Sequence, residues 1–340
     1  MSHRFLLGMV IIFISGSLNG SFAFPMKHSR HWKWENTWLI FTTFSLFLIP
    51  WLLAWDFVPH LAGLYATFPI RVLLIPMVFG FLWGMAQASF GVGIQMVGMA
   101  LAFAVVSGLS CVSGSLAPLL AVSSRELFNP RGLLLLASMP ILLISLVLYA
   151  IAGKRREKEQ AVPGSASVHS RFMLGLSICI VTGILGSAWN LGFAFSGSIL
   201  QQATALGASA VTATYAVWAL VLTAGYIPNL IYCIFRLGQN KTSRLFIGHG
   251  AVREAGLGLA MAVLWLSGIV GYGIGASIAG PYGTSVGFTL FIAAQILASN
   301  LLGVLTGEWK ATSASTRRYL LAAVLGTLLT VSVLNLGGLF

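Results

Sequence analysis

Charged residues are scarce in this sequence. Only 8% of the 340 residues are Asp, Glu, Lys or Arg, whereas 58% are hydrophobic. Soluble domains carry about 25% charged residues, most of them on a solvated surface, so this composition excludes a soluble globular protein. The seven acidic residues and the six histidines all lie in predicted loops or at the ends of hydrophobic segments.

This absence of ionisable side chains from the hydrophobic segments excludes several classes of function. Intramembrane hydrolases need His, a metal ion or paired carboxylates within the membrane, and cation exporters and proton pumps normally hold an ionisable group inside the bundle. The sequence also has no phosphate-binding GxxxxGK[ST] loop, which excludes ATP-driven transport by this chain. We therefore expect no enzyme, no metal site and no cofactor.

Cysteine is equally rare. Cys111, Cys179 and Cys233 are isolated from one another, and their spacing matches neither a metal site nor a redox motif. We expect all three to act as small apolar packing residues.

Long hydrophobic runs fill the chain. A bilayer core of about 30 Å needs about 20 apolar residues per helix, and ten segments meet this requirement. These spans are residues 5–24, 37–55, 71–92, 96–121, 132–152, 172–194, 208–236, 255–278, 284–306 and 318–338. They predict an all-α, polytopic membrane protein with ten transmembrane helices. The first span has some features of a cleavable signal peptide, but its last residues are duplicated inside the chain, so we expect it to be retained.

The net charge of +12 comes from the loops. Fifteen of the 19 Lys and Arg residues follow spans 1, 5, 7 and 9, all on one side of the predicted bundle. The positive-inside rule makes that side cytoplasmic and puts both termini on the external side. The basic residues are therefore topology signals, with the lipid bilayer and not nucleic acid as the partner.

Two sequence patterns recur half a chain apart. Residues Asn19 to Phe24 resemble Asn190 to Phe195 at an offset of 171, and Leu82 to Gly98 resembles Leu264 to Gly280 at an offset of 182. Recurrence in the same order predicts an internal duplication. Each half holds five spans, and an odd number inverts the second half relative to the first. The sequence therefore predicts two inverted five-helix repeats.

A charged and then Pro-, Gly- and Ser-rich linker separates the two halves. We assign residues 1–152 to the first repeat, 153–171 to a cytoplasmic linker and 172–340 to the second repeat. Transporters built from such repeats place the substrate near the middle of the membrane, between the two halves.

Uncharged amide side chains accompany aromatic rings within the spans. Amides both donate to and accept from the hydroxyls of a neutral sugar, and flat rings can cover a pyranose face. The candidate substrate-binding residues are Asn19, Phe22, Trp83, Gln87, Gln95, Asn190, Phe193, Asn229, Trp265, Tyr272 and Gln295. A single amide more often joins two helices, whereas the duplication of Asn19 and Asn190 favours a shared site. Tryptophans near the span ends, namely Trp38, Trp51 and Trp55, are expected to be interfacial anchors.

Two carboxylates stand at the starts of predicted spans. Glu35 precedes span 2, where an acidic residue ordinarily stabilises the amino terminus of a helix. The functional alternative is that Glu35 acts as a cytoplasmic gate or as a group that binds the coupled proton. Glu254, beside Arg253 and before span 8, is the analogous candidate.

Several stretches resemble one known family. They are Pro25–Lys27, Trp32–Trp38, Pro50–Trp51, Asn229–Leu237 and Glu308–Lys310. They are similar to the bacterial L-rhamnose–proton symporter family of the drug/metabolite transporter superfamily. The resemblance implies ten helices in two inverted repeats in a bacterial inner membrane. It also implies uptake of a small neutral sugar, L-rhamnose, coupled to protons by alternating access.

Alternatives stay open at this point. The eighth span is poorer in aromatic residues than the resemblance leads us to expect, and the ninth has no His. The chain could therefore be an exporter, or a facilitator for another neutral solute of the same superfamily. A membrane sensor or assembly subunit that transports nothing is a hypothesis of a different class.

Overall fold

The structure is a computed structural model that describes residues 2–97, 99–122, 124–160 and 172–336, and these residues form helices and no strand. The α-helices are α1 Ser2–Ser21, α2 Trp34–Thr42, α3 Ile49–Phe57, α4 Leu61–Ala66, α5 Ile70–Val97, α6 Met99–Val122, α7 Pro130–Gln160, α8 Phe172–Gly186, α9 Ala188–Ala194, α10 Gly197–Ala205, α11 Ala213–Asn240, α12 Ala251–Ala279, α13 Val286–Leu305 and α14 Ala314–Leu336. A π-helical turn, Thr43–Leu48, joins α2 to α3.

Within the described residues, nine helical segments are long and apolar enough to cross a membrane, and Val105–Ala121 is a shorter apolar helix. Together they correspond to the ten predicted spans. The prediction of an all-α, multi-pass membrane protein is therefore confirmed. Helices can span a bilayer because their backbone groups form hydrogen bonds within the helix.

Some element boundaries differ from the predicted ones. The second span is interrupted by the π-helical turn just before Pro50, whose missing N–H cannot continue the regular helical ladder. The sixth span is divided at Ser187, whose hydroxyl donates to the carbonyl of Ile184 at 3.0 Å. Helix α7 continues to Gln160, so the predicted linker begins as helix. The rest of that linker, residues 161–171, lies outside the described residues.

Helices of the two halves pack in pairs that mirror one another. Helix α1 packs against α12 and α13, while α8 and α9 pack against α5 and α6. If the five spans of each half correspond in order, α1 corresponds to α8 and α9, and α5 and α6 correspond to α12 and α13. The two sets of contacts are then equivalent, and the contact between α7 and α14 joins the last spans of the two halves. This pattern agrees with the inverted repeat, which stays a prediction.

Glycines allow the closest helix contacts. A Cβ added to Gly80 would lie 2.0 Å from the carbonyl oxygen of Val221, and one added to Gly84 would lie 2.4 Å from that of Gly225. Helices α5 and α11 therefore touch backbone to backbone. Gly16 of α1 faces the carbonyl oxygen of Phe291 in the same way, at 2.4 Å. Small residues four apart serve such contacts in membranes.

The loops that carry most of the basic residues meet at one end of the bundle. We call this the basic end and define it by residues 25–33, 153–160, 241–250 and 306–313. Lys27 and Arg156 both pair with Glu308 there, and Arg156 lies 3.0 Å from its carboxylate. Burial alone would raise the pKa of Glu308, but the hydrogen bond from Lys27 and the charges of Lys27 and Arg156 hold that pKa below its ordinary value.

Candidate functional site

A narrow cavity lies between the end of α1, α2, the π-helical turn, α5, α11 and α12, with about 240 Å³ of empty space when the part open to solvent is included. It is lined by Phe22, Trp38, Phe41, Thr42, Leu46, Trp83, Gln87, Asn229 and Trp265. None of these side chains carries a charge. The lining therefore suits an uncharged solute.

Two stacked indole rings form one wall of the cavity. Trp83 of α5 and Trp265 of α12 are each 5% exposed, and their ring centroids lie 5.7 Å apart with the planes inclined by 22°. Gly225 makes room for Trp83, because a Cβ there would lie 2.7 Å from the indole ring. Phe41 approaches Trp265 edge-on at 6.0 Å. These aromatic faces can cover the apolar face of a sugar ring.

Gln87 supplies the uncommitted hydrogen-bonding capacity of the cavity. Asn229 donates to the carbonyl of Gly225 at 3.0 Å and accepts from the indole N–H of Trp38 at 3.1 Å. Thr42 donates to the carbonyl of Trp38 at 2.8 Å. Gln87 is half-buried, and its amide makes no hydrogen bond to another described residue. Its two donors and its acceptor can therefore face a ligand.

The prediction that Trp38 and Trp51 are interfacial anchors is wrong. Trp38 faces inward because it shares a helix face with Phe41 and Thr42, both of which line the cavity. Trp51 donates to the hydroxyl of Thr223 at 2.7 Å and so joins two helices. Trp55 is 70% exposed, as an anchor requires. Trp38, Phe41 and Thr42 are three and four residues apart, and this spacing in the sequence indicates that they share one face of α2.

Asn19 and Asn190 lie outside the cavity, although both are buried. Asn19 donates to the carbonyl of Trp265 at 3.3 Å. Asn190 donates to the carbonyls of Gly114 and Thr284, each at 2.8 Å, and accepts from the hydroxyl of Tyr272. Both amides therefore join helices, which is the structural role weighed for them above. A direct role for either in substrate binding stays a prediction.

A second group of aromatic side chains packs together away from the cavity. We call it the distal cluster, and it consists of Trp189, Phe193, Trp218, Tyr272, Phe288 and Phe291. It contains two of the candidate residues, Phe193 and Tyr272. Gln295 is half-buried in α13, and it too is outside the cavity lining. Gln95 falls within α5, but its side chain lies outside the described residues.

Glu254 joins α12 to the loop that follows α1. Its carboxylate is fully buried and accepts from the hydroxyl of Ser29 at 2.5 Å and from the backbone N–H groups of Arg30 at 3.0 Å and His31 at 3.4 Å. Arg253 lies 3.3 Å from the same carboxylate. Glu254 therefore ties the two halves together at the basic end.

Glu35 makes the reciprocal connection. It stands in the first turn of α2 with 3% of its surface exposed, and its Oε1 accepts from Asn240 at 2.9 Å and from Thr242 at 2.8 Å. A residue of the first half is thereby bound to the end of α11. We call Glu35 and Glu254 with these partners the two latches. Neither latch lines the cavity, and the described residues contain no cluster of three or more metal-ligating side chains.

Comparison with known proteins covers the whole chain. Residues 1–340 match a family model described as "L-rhamnose-proton symport protein (RhaT)". The chain is similar to proteins named L-rhamnose-proton symporter. The one from Pectobacterium atrosepticum is 25% identical over 345 residues, with 99% of each chain covered. The one from Mannheimia succiniciproducens is 24% identical over 349 residues, with the same coverage.

Proposed function

The chain belongs to the family of L-rhamnose–proton symport proteins, and on this premise we propose that it takes up L-rhamnose together with protons by alternating access. The family is one of transporters and not of enzymes. The observation that carries the proposal is the uncharged cavity between the two halves, walled by indole rings and supplied with amide groups. Its chemistry is that of a neutral polyol and not of an ion.

The sugar would lie against the stacked indoles. Trp83 and Trp265 would cover one face of the pyranose ring, and the amide of Gln87 would bind hydroxyl groups at its edge. Asn229 has one amide hydrogen left after its bond to Gly225, which can reach a further hydroxyl. These contacts would fix the orientation of the sugar without any charged group.

Proton coupling would act through the latches. Protonation of Glu254 removes its negative charge and one acceptor, so the hydrogen bonds from Ser29, Arg30 and His31 would weaken. Glu35 would respond in the same way through Asn240 and Thr242. Loosening the latches would free the two halves to separate at the basic end. For symport, the proton that binds a latch would have to enter with the sugar from the periplasmic side and leave at the basic end.

The proposed location is the bacterial inner membrane. The basic end carries the loops in which Lys and Arg are concentrated, and the positive-inside rule makes it cytoplasmic. The amino-terminal residues and the end of α14 would then lie on the periplasmic side.

Uptake of L-rhamnose by purified protein in liposomes tests the proposal. We expect saturable uptake that accumulates sugar when the side from which it enters is the more acidic. Dissipating the pH gradient should leave equilibrative exchange and abolish accumulation. Neutral amino acids and hydrophobic compounds, tested in parallel, should not compete.

The proposal would be contradicted by liposomes that take up no L-rhamnose under any pH gradient while the protein remains monodisperse. Accumulation that is insensitive to the pH gradient would leave sugar transport intact and contradict proton coupling alone. Loss of a hydrophobic compound from loaded vesicles, without sugar uptake, would instead favour an exporter.

A further inference from the structure

The indole N–H of Trp218 has no hydrogen-bond partner among the described residues. The side chain is 1% exposed and packs against Trp189 and Phe193 of the distal cluster. An unpaired buried donor is unfavourable, and each such group in a native structure calls for an explanation. A packing role explains the ring of Trp218 but not its N–H, since a phenyl ring would pack there without leaving a donor unpaired.

Trp218 is the counterpart of Trp38 in the other half of the chain. The two residues are 180 positions apart, between the offset of 171 for the first spans of the two halves and that of 182 for the third spans. Thr43 and Thr223 follow at the same offset of 180. Each tryptophan lies in the second turn of its helix, α2 or α11. In the same way Phe193 corresponds to Phe22, at an offset of 171.

The two corresponding ring pairs differ in geometry. Phe22 and Trp38 meet edge-on with centroids 6.4 Å apart, and both line the cavity. Phe193 and Trp218 are stacked at 4.6 Å with planes inclined by 5°. The N–H of Trp38 is bonded to Asn229, whereas that of Trp218 is not bonded. The pair of the first half thus meets edge-on beside the cavity, and the corresponding pair of the second half is stacked.

We propose that Phe193 and Trp218 form a second sugar-contact site, which opens when the Phe22–Trp38 pair closes. This inference rests on the proposed function. In transporters with inverted repeats, one half rocks against the other around a central site, so the two ends of the bundle open in turn. Helix α11 ends at the basic end, so Trp218 in its second turn lies toward the opposite end. In the state that faces that end, the N–H of Trp218 donates to a sugar hydroxyl and the ring of Phe193 covers the sugar face.

The variant Trp218→Phe tests this inference because it removes the N–H and keeps an aromatic ring. The matched control is Trp189→Phe, in the same cluster with its ring 5.6 Å from that of Trp218. L-rhamnose uptake would be measured in membrane vesicles of each orientation. We expect Trp218→Phe to raise the KM about five- to tenfold from the face opposite the basic end, as loss of one neutral hydrogen bond predicts. From the basic face its KM should stay within about twofold, and the KM of Trp189→Phe should stay within that limit from both faces.

Three results would overturn the inference. They are an unchanged KM from both faces, equal increases from both faces, or the same increase in the Trp189→Phe control. Melting without sugar gives a separate check on folding: Trp218→Phe and Trp189→Phe each put a smaller ring in a buried site, so their melting temperatures should fall by similar amounts. If Trp218→Phe folds poorly, Phe193→Leu should reproduce the one-sided KM increase. Wild-type protein that transports no L-rhamnose would contradict the proposed function instead.

Discussion

At the scale of single residues, the proposed binding of the sugar depends most directly on Gln87. It is the cavity amide without a hydrogen bond to another described residue. Replacement Gln87→Leu keeps a similar volume and removes the hydrogen bonds that Gln87 would make to the sugar. We expect the KM for L-rhamnose to rise about tenfold, the effect of losing one or two neutral hydrogen bonds, while the melting temperature without sugar is unchanged.

Initial rates of uptake in liposomes over a range of sugar concentrations would measure this effect. The control is Gln201→Leu, the same substitution at an exposed glutamine of α10. It should leave the KM within about twofold. Equal KM values for wild type and Gln87→Leu would remove Gln87 from the binding site.

Sequence reasoning located only part of the cavity at this scale. It named Trp83, Gln87 and Trp265 because amides and rings recur on the faces of the third and eighth spans. It also named Asn19 and Asn190, because they are duplicated. Duplication marks positions that both halves need, and here both amides join helices through backbone carbonyls. A repeated residue can therefore serve the fold as readily as the substrate.

At the scale of helices, the number of spans could be predicted and their interruptions could not. The thickness of the bilayer sets the length of a span, and this length is visible in the sequence as the length of each apolar run. A π-helical turn such as Thr43–Leu48 changes the hydrogen-bond pattern and leaves hydrophobicity unchanged. The turn brings Leu46 into the cavity lining, and no pattern of apolar residues indicated it.

The contact between α5 and α11 gives a prediction about stability. Gly84→Ala would place a Cβ 2.4 Å from the carbonyl oxygen of Gly225, so the two helices must move apart. We expect a loss of about 1–3 kcal/mol in the free energy of unfolding, the usual cost of overpacking. Thermal unfolding in detergent, followed by the loss of monodisperse protein, would show this loss as a lower apparent melting temperature.

Gly256 provides the control for this substitution. It also lies inside a long helix, α12, but a Cβ there would meet no atom within 4 Å. Gly256→Ala should be neutral or stabilising by up to about 1 kcal/mol, because alanine favours the helix. If Gly84→Ala and Gly256→Ala have the same melting temperature, the backbone contact between α5 and α11 does not limit stability.

At the scale of the whole molecule, the latches connect the two halves in both directions. Glu35 of the first half is held by the end of α11, and Glu254 of the second half is held by the loop after α1. Glu254→Gln imitates the protonated carboxyl, because it removes the charge and retains one acceptor oxygen. We expect this variant to lose proton-driven accumulation of L-rhamnose while equilibrative counterflow persists.

Counterflow and pH-driven uptake, measured on the same liposomes, separate these two properties. The control is Glu159→Gln, at a carboxylate that also accepts several hydrogen bonds, from Ser313 and Thr316, but stands outside the latches. It should accumulate sugar as the wild type does. Full accumulation by Glu254→Gln would exclude Glu254 as the coupling group.

The two indole rings of the cavity, Trp83 and Trp265, also offer a fluorescence signal for ligand binding. Tryptophan emission depends on the polarity and packing around the ring, and Trp83 and Trp265 lie together in the wall of the proposed sugar site. A sugar bound against these rings would change their packing, so its arrival should change their fluorescence. Ligand binding in this carrier can therefore be followed optically, without a radioactive tracer or an attached dye.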